Sequence, residues 1–281
     1  MDSFLHREAT MKRFLVGGGV ILTLLLTGCN DSTTTLTPGD PNDPSFQSFQ
    51  DGFGDLQSAT NSMTNTAMNV MGDVVNGNTA SPVFQGITYT LLYNETTQFW
   101  VAHLVLDNEA GSVASFTDSV QFVSNGGPVK YPSLPELDYV RSFLTFNAEG
   151  PEGSATGFQN IIATPTVLDS TITVSVNGSG GFEGSFTHSR TDSSGTTDCV
   201  LDAAFSSTYS HLVWDVTHGT EGQCPRSGSF VHTGDLHVVC TGAHPGDAEK
   251  HWTVTATFEN GIGTVTVVSG GNVWHFPATC E

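Results

Sequence analysis

Nine histidines follow residue 100: His103, His188, His211, His218, His232, His237, His244, His251 and His275. In an acidic chain this density raises transition-metal chemistry, because neutral imidazole and carboxylate suit zinc or copper. His188 and His232, with Asp192, Asp215 or Asp235, form the set that neighbouring strands would bring together. No pair has the H-E-x-x-H spacing of a helical zinc site, so histidines that are solvated or hydrogen-bonded on strands are the favoured reading, with no metal and no other cofactor. For nucleophilic catalysis the adjacent Ser210 and His211 are the obvious pair. Alternation along a strand sends them to opposite faces, so they form no dyad. The chain carries no G-x-S-x-G elbow, phosphate loop or dinucleotide fingerprint, and sequence separation does not pick out the paired carboxylates of a glycosidase. No catalytic residue is assigned, and a non-enzyme is favoured over a hydrolase.

The cysteines offer firmer chemistry. Cys199, Cys224, Cys240 and Cys280 are an even number, and their spacings contain no C-x-x-C, which favours two disulfides over a zinc ribbon. Cys224 and Cys240 flank one expected hairpin and are the preferred pair, leaving Cys199 for Cys280. Trp100, Trp214, Trp252 and Trp274 would be the stacking surfaces of a glycan site, but each lies in an apolar or alternating run and reads first as core.

Charge narrows the partners. Lys and Arg number 8 against 28 Asp and Glu, a formal charge of −20 over 281 residues. After residue 28 the basic residues are Lys130, Arg141, Arg190, Arg226 and Lys250 alone. A nucleic-acid partner is excluded by this lack of a basic footprint, and electrostatic adhesion to anionic lipid by the same scarcity.

The elements that must position these residues are strands. From residue 82 onward, short runs rich in Val, Ile, Phe and Trp alternate with Gly, Asn and Asp, so the fold is expected to be mainly β: an antiparallel sandwich, open barrel or curled sheet of hairpins and meanders. Asn260-Gly261 and Gly270-Gly271 read as two-residue turns. They pair Phe258 with Gly263, Ala256 with Val265 and Val254 with Val267, then Trp274 with Val267 and Phe276 with Val265, on one apolar face opposite a Thr-rich one. A further hairpin is expected to join 172–176 to 182–186 through a loop at 177–181. Before the strands, Leu56, Ala59, Met63, Ala67, Val70 and Val74 step by three or four, as in one amphipathic helix docked on the β domain.

The first residues have a different character. Lys12 and Arg13 precede an apolar stretch from Phe14 to Leu26 that ends in Leu26-Thr27-Gly28-Cys29, too short for a spanning helix and interrupted at Gly17, Gly18 and Gly19. This leader resembles the bacterial lipoprotein signal, with its Leu, two small or polar residues and obligatory Cys. The resemblance covers the leader only. It implies cleavage after Gly28, a diacylglycerol on the Cys29 thiol, and usually an acyl chain such as palmitate on the new amino group, since two or more chains hold a protein stably. Met11 is an alternative start.

The organisation read from the chain is therefore a signal peptide at 1–28, a lipidated flexible tether at 29–45, a helical segment at 46–81 and an antiparallel β domain at 82–281. Three prolines, Pro38, Pro41 and Pro44, are expected to keep the tether out of regular structure. The implied location is the cell membrane or outer membrane, with the domain in the periplasm or on the cell surface. The expected role is a noncatalytic binding or structural module of the cell envelope, anchored through its lipid and meeting an envelope protein or a glycan. A site for a glycan or an apolar molecule is the alternative.

Overall fold

The computed structural model describes residues 36–41, 46, 49, 70–80, 82–84, 87–107, 113–151, 153–168, 171–215, 224–243 and 245–278. Cys29, Cys280, His218, His244 and the expected helix before Val70 lie outside the described residues. Fifteen strands follow one another: β1 Thr37–Pro38, β2 Val83–Phe84, β3 Ile87–Thr88, β4 Thr90–Asn94, β5 Phe99–Asp107, β6 Val113–Ser124, β7 Gly127–Val129, β8 Leu137–Gly150, β9 Gly153–Leu168, β10 Thr171–Asp192, β11 Gly195–Asp215, β12 Ser227–Gly242, β13 Gly246–Glu259, β14 Ile262–Ser269 and β15 Asn272–Ala278.

Thirteen of them form one sheet in the order β1-β15-β14-β13-β12-β11-β10-β9-β8-β6-β5-β4, with β7 paired to β6. The order runs from β1 to β4 without closing, so the expected mainly β fold takes its open-sheet form. Every pair is antiparallel except β1 with β15. Strands alternate between buried and exposed positions, giving an inner face that carries the core and an outer face of Ser, Thr, Asn and acidic side chains among which Leu92, Val105, Phe143, Phe158, Ile162 and Val200 are exposed.

The C-terminal meander has the register expected of it, with Phe258 opposite Gly263, Val254 opposite Val267, Val267 opposite Trp274 and Val265 opposite Phe276. Its turns explain why. Asn260 and Gly261 both have positive φ, at 53° and 79°, and Gly270 and Gly271 repeat this at 56° and 82°, the pattern of turns whose twist matches paired strands.

The expected hairpin at 172–186 does not form. β10 runs unbroken through Asn177-Gly178-Ser179-Gly180-Gly181, between β9 and β11 on either side. These glycines serve close packing instead of a turn: a Cβ at Gly178 would lie 2.2 Å from the Asn160 carbonyl oxygen, and one at Gly181 would lie 2.5 Å from the ring of Phe158. Two long neighbours supply ladder bonds on both edges, and that outweighs the weak strand preference of glycine.

At the other end of the sequence, residues 70–75 are helical, with Val70, Met71 and Val74 buried against the sheet. The Tyr89 hydroxyl donates to Asp73 at 2.7 Å and fixes this turn beside β4. Phe46 and Phe49 fill the opposite side of the inner face, against Trp252, Trp274 and Phe276.

Contrary to the expectation that prolines keep residues 29–45 irregular, Thr37 and Pro38 pair with Asn272 and Val273. The Thr37 and Gly39 N–H groups donate to the carbonyls of Gly271 and Val273, at 3.0 and 2.8 Å. In an extended chain every second N–H faces the same neighbour, so the N–H that Pro38 lacks would have faced away from the sheet.

Candidate functional site

The register aligns side chains from many strands in straight rows across the inner face. One row passes through Asp118, Leu144, Gln159, Gly180, Ser207, His232, Val254 and Val267 to Trp274. Its middle is polar, whereas the row on one side is dominated by Phe116, Phe146, Phe182, Phe205 and Trp252. Polar groups placed this deep must find partners or change charge state.

Ser207 Oγ and His232 Nδ1 share a hydrogen bond of 2.6 Å, and both residues are buried. Burial lowers the His232 pKa to about 4, so its imidazole is neutral at physiological pH. Next to them, Gln159 Nε2 approaches the Tyr209 hydroxyl at 3.5 Å, and burial raises the pKa of that phenol. Four strands away, the Ser142 hydroxyl donates to Asp118 Oδ1 at 2.9 Å, while the buried Asp118 Oδ2 has no hydrogen-bond partner among the described residues. Burial pushes the Asp118 carboxyl up to about 7.

Ser207 and His232 have the contact of a nucleophile and its base, but they lie within the core. Transferring the serine proton would create an imidazolium where burial already disfavours it. The arrangement is a set of buried hydrogen bonds that specifies how the strands face one another.

The outer face carries the other polar group. His237 on β12 lies opposite Asp202 on β11 and Glu249 on β13, and Asp235 lies opposite His251. His237 Nε2 is 2.9 Å from Asp247 and His251 Nδ1 is 2.8 Å from Asp235. The bond to Asp247 raises the His237 pKa, helped by the charges of Asp247, Glu249 and Asp202. A shallow depression of ≈ 460 Å³ opens beside them, lined by Thr156, Glu183, Ser185, Asp202, Asp235 and His237 among others.

The residues singled out by sequence are distributed as follows. Cys199 bonds to Cys240, opposite it in the β11–β12 register. Cys224 is also disulfide-bonded, to a cysteine outside the described residues. The preferred Cys224–Cys240 pairing is thereby overturned. Ser227–Gly242 is one strand, not a hairpin, and it carries Cys240 about 43 Å along the strand from Ser227 at roughly 3.3 Å per residue, away from Cys224.

His188 and His232 do not converge. His188 is level with Cys199 and Cys240, eight residues along β12 from His232, and Asp235 belongs to the opposite face. His103 and His275 are exposed beside Thr117 and Thr266, the latter on the outer face as expected. Ser210 and His211 sit at a β-bulge, where the His211 N–H donates to Asn177. Among the described residues no group of three or more His, Cys, Asp or Glu is arranged to hold a metal. Trp100, Trp252 and Trp274 are buried core and Trp214 is half-buried.

Sequence reasoning passed over Asp118, Gln159, Ser207 and Tyr209. The signal was their parity: Asp118 alternates with Phe116 and Val120, and Ser207 with Leu201, Ala203 and Phe205, so each lies on the apolar side of its run. Against known proteins, the chain matches no family model, no curated protein and no solved structure.

Proposed function

We propose that this protein is a lipid-anchored, noncatalytic module of the bacterial cell envelope that binds its partner on the outer face of the sheet. The observation that carries the reading is the Cys199–Cys240 bond, because disulfides persist in oxidising compartments and are rare in the cytosol. It agrees in direction with the lipobox-like leader ending at Cys29. The inner face is already occupied by the chain's own Phe46, Phe49, Val70, Met71 and Val74, which leaves the outer face for ligands.

The depression around Glu183, Asp202 and Asp235 favours a hydroxyl-rich ligand such as a glycan over an apolar one, since carboxylates and neighbouring Thr and Ser groups accept and donate to sugar hydroxyls. Mass spectrometry of the protein recovered from its host membrane without reductant tests the anchor and the disulfide. A diacylated Cys29 and a Cys199–Cys240 peptide are expected, and an unlipidated chain overturns the reading. Calorimetric titration with envelope glycan fragments, repeated on Asp202→Asn and Asp235→Asn, tests the ligand face. Binding that is unchanged in both variants refutes that assignment.

A further inference from the structure

The N-terminal chain and the longest strands reach the same end of the ladder. Thr37 is level with Asn272, the first residue of β15, and because β1 and β15 are parallel, residue 36 lies toward the Gly270-Gly271 turn. That level continues to Ser269 and, one step past the Thr253–Val268 pair, to Trp252, then through Gly234 and Phe205 to Phe182. From there β10 continues for ten more residues to Asp192, with β11 beside it throughout and β12 and β13 for part of the way. Along β10 this tongue measures about 33 Å from that level to Asp192, at about 3.3 Å per residue.

The tongue is braced along its length. β10 and β11 remain paired to Asp192 and Gly195, the Cys199–Cys240 disulfide ties β11 to β12, and the Ser189 hydroxyl donates to Asp198. Its tip, Thr191 to Thr196, is hydroxyl-rich and has no large apolar side chain, so it suits the hydrated headgroup layer and not the acyl interior. Carboxylates at Asp198, Asp202, Asp247 and Glu249 make the flanks acidic, which favours zwitterionic over anionic headgroups.

The anchor is shorter than the tongue. Eight residue steps separate Cys29 from Thr37, a reach of at most about 29 Å when fully extended. Because residue 36 and the tongue lie at the same end of the ladder, a lipid at Cys29 draws that end toward the membrane, and turning the tether back to the other end would consume much of that reach.

We infer that the β10–β13 tongue is the membrane-facing surface of the molecule, its tip held against zwitterionic lipid headgroups by the clamp of β1 on β15. The inference rests on the lipid-anchor reading above. In the test, the lipidated full chain is reconstituted in phosphatidylcholine vesicles bearing a headgroup quencher, with a fluorophore at Ser194→Cys or, at the opposite end of the sheet, at Ile262→Cys. Several-fold stronger quenching at position 194 is expected. An insertion of about ten Gly and Ser residues after Thr34 lengthens the tether without touching β1, and should bring the two positions toward equality. Equal quenching, or stronger quenching at 262, in protein whose Cys29 lipid is confirmed by mass overturns the inference and leaves the anchor standing. A chain without lipid at Cys29 overturns both.

Discussion

Phe46 lies flat on Trp274, with ring centroids 4.4 Å apart and planes 5° from parallel. The contact joins the N-terminal chain to the last strand of the sheet, and Gly39 packs on the same indole, where a Cβ would fall 1.9 Å from the Trp274 ring. Removing the Phe46 ring opens a cavity between Trp252, Trp274 and Phe276. Phe46→Ala is expected to lower unfolding free energy by about 3–5 kcal/mol in urea titration, with a change in tryptophan emission.

Asp118 and His232 should oppose each other in acid. An unfolded aspartate titrates near about 3.9, whereas Asp118 is held up to about 7, so the stability it contributes is full below about 4 and is lost as pH rises through about 7. His232 is held down to about 4 against about 6.5 unfolded, so its contribution is present above about 6.5 and is lost as pH falls through about 4. Between these limits the two slopes largely cancel. Asp118→Asn removes one of them. This variant should be more stable than the native protein by a few kcal/mol at pH 8 and should lose stability between pH 6.5 and 4, as read by denaturant midpoints across pH.

The disulfide should report directly. Non-reducing peptide mapping is expected to recover Cys199 joined to Cys240, and Cys199→Ser should cost about 2–4 kcal/mol in thermal or denaturant unfolding. A Cys224–Cys240 peptide would contradict the β11–β12 register itself.

Continuity of β10 is testable by hydrogen exchange. Amides of residues 178–181 are expected to exchange as slowly as those of 182–186, because both stretches are paired with β9 and β11. Fast exchange confined to 178–181 would restore the loop.

Where local signals agree, the sequence was enough. In the C-terminal meander Asn260-Gly261 and Gly270-Gly271 demand turns, and the alternation of Val and Thr fixes the face of each strand, so register follows from either. β9 and most of β11 were illegible by the same method. Gln159, Asn160, Ser206 and Ser207 interrupt their apolar runs, and Gly157 and Ala203 stand at inward positions where the sheet needs small residues beneath Phe146 and its neighbours. Gly178 and Gly180 gave the false hairpin because a glycine run signals a turn only where no partner strands pass on both sides. The polar row was hidden for a related reason: Asp118, Gln159, Ser207 and His232 are far apart in sequence and become neighbours only through the register of six strands.

From β8 to β15 each strand lies beside its sequence neighbours, so this part of the sheet can grow by adding one strand at a time as the chain emerges. The pairing of β1 with β15 is of another kind. Trp274 bonds to the Asp40 carbonyl across 234 residues, and neither that bond nor the ladder at Thr37 can form until β15 has been made. Thr37 and Pro38 are therefore the earliest-made strand among the described residues and the last to be paired, so the edge of β15 is covered by chain that was synthesised before any other strand of the sheet.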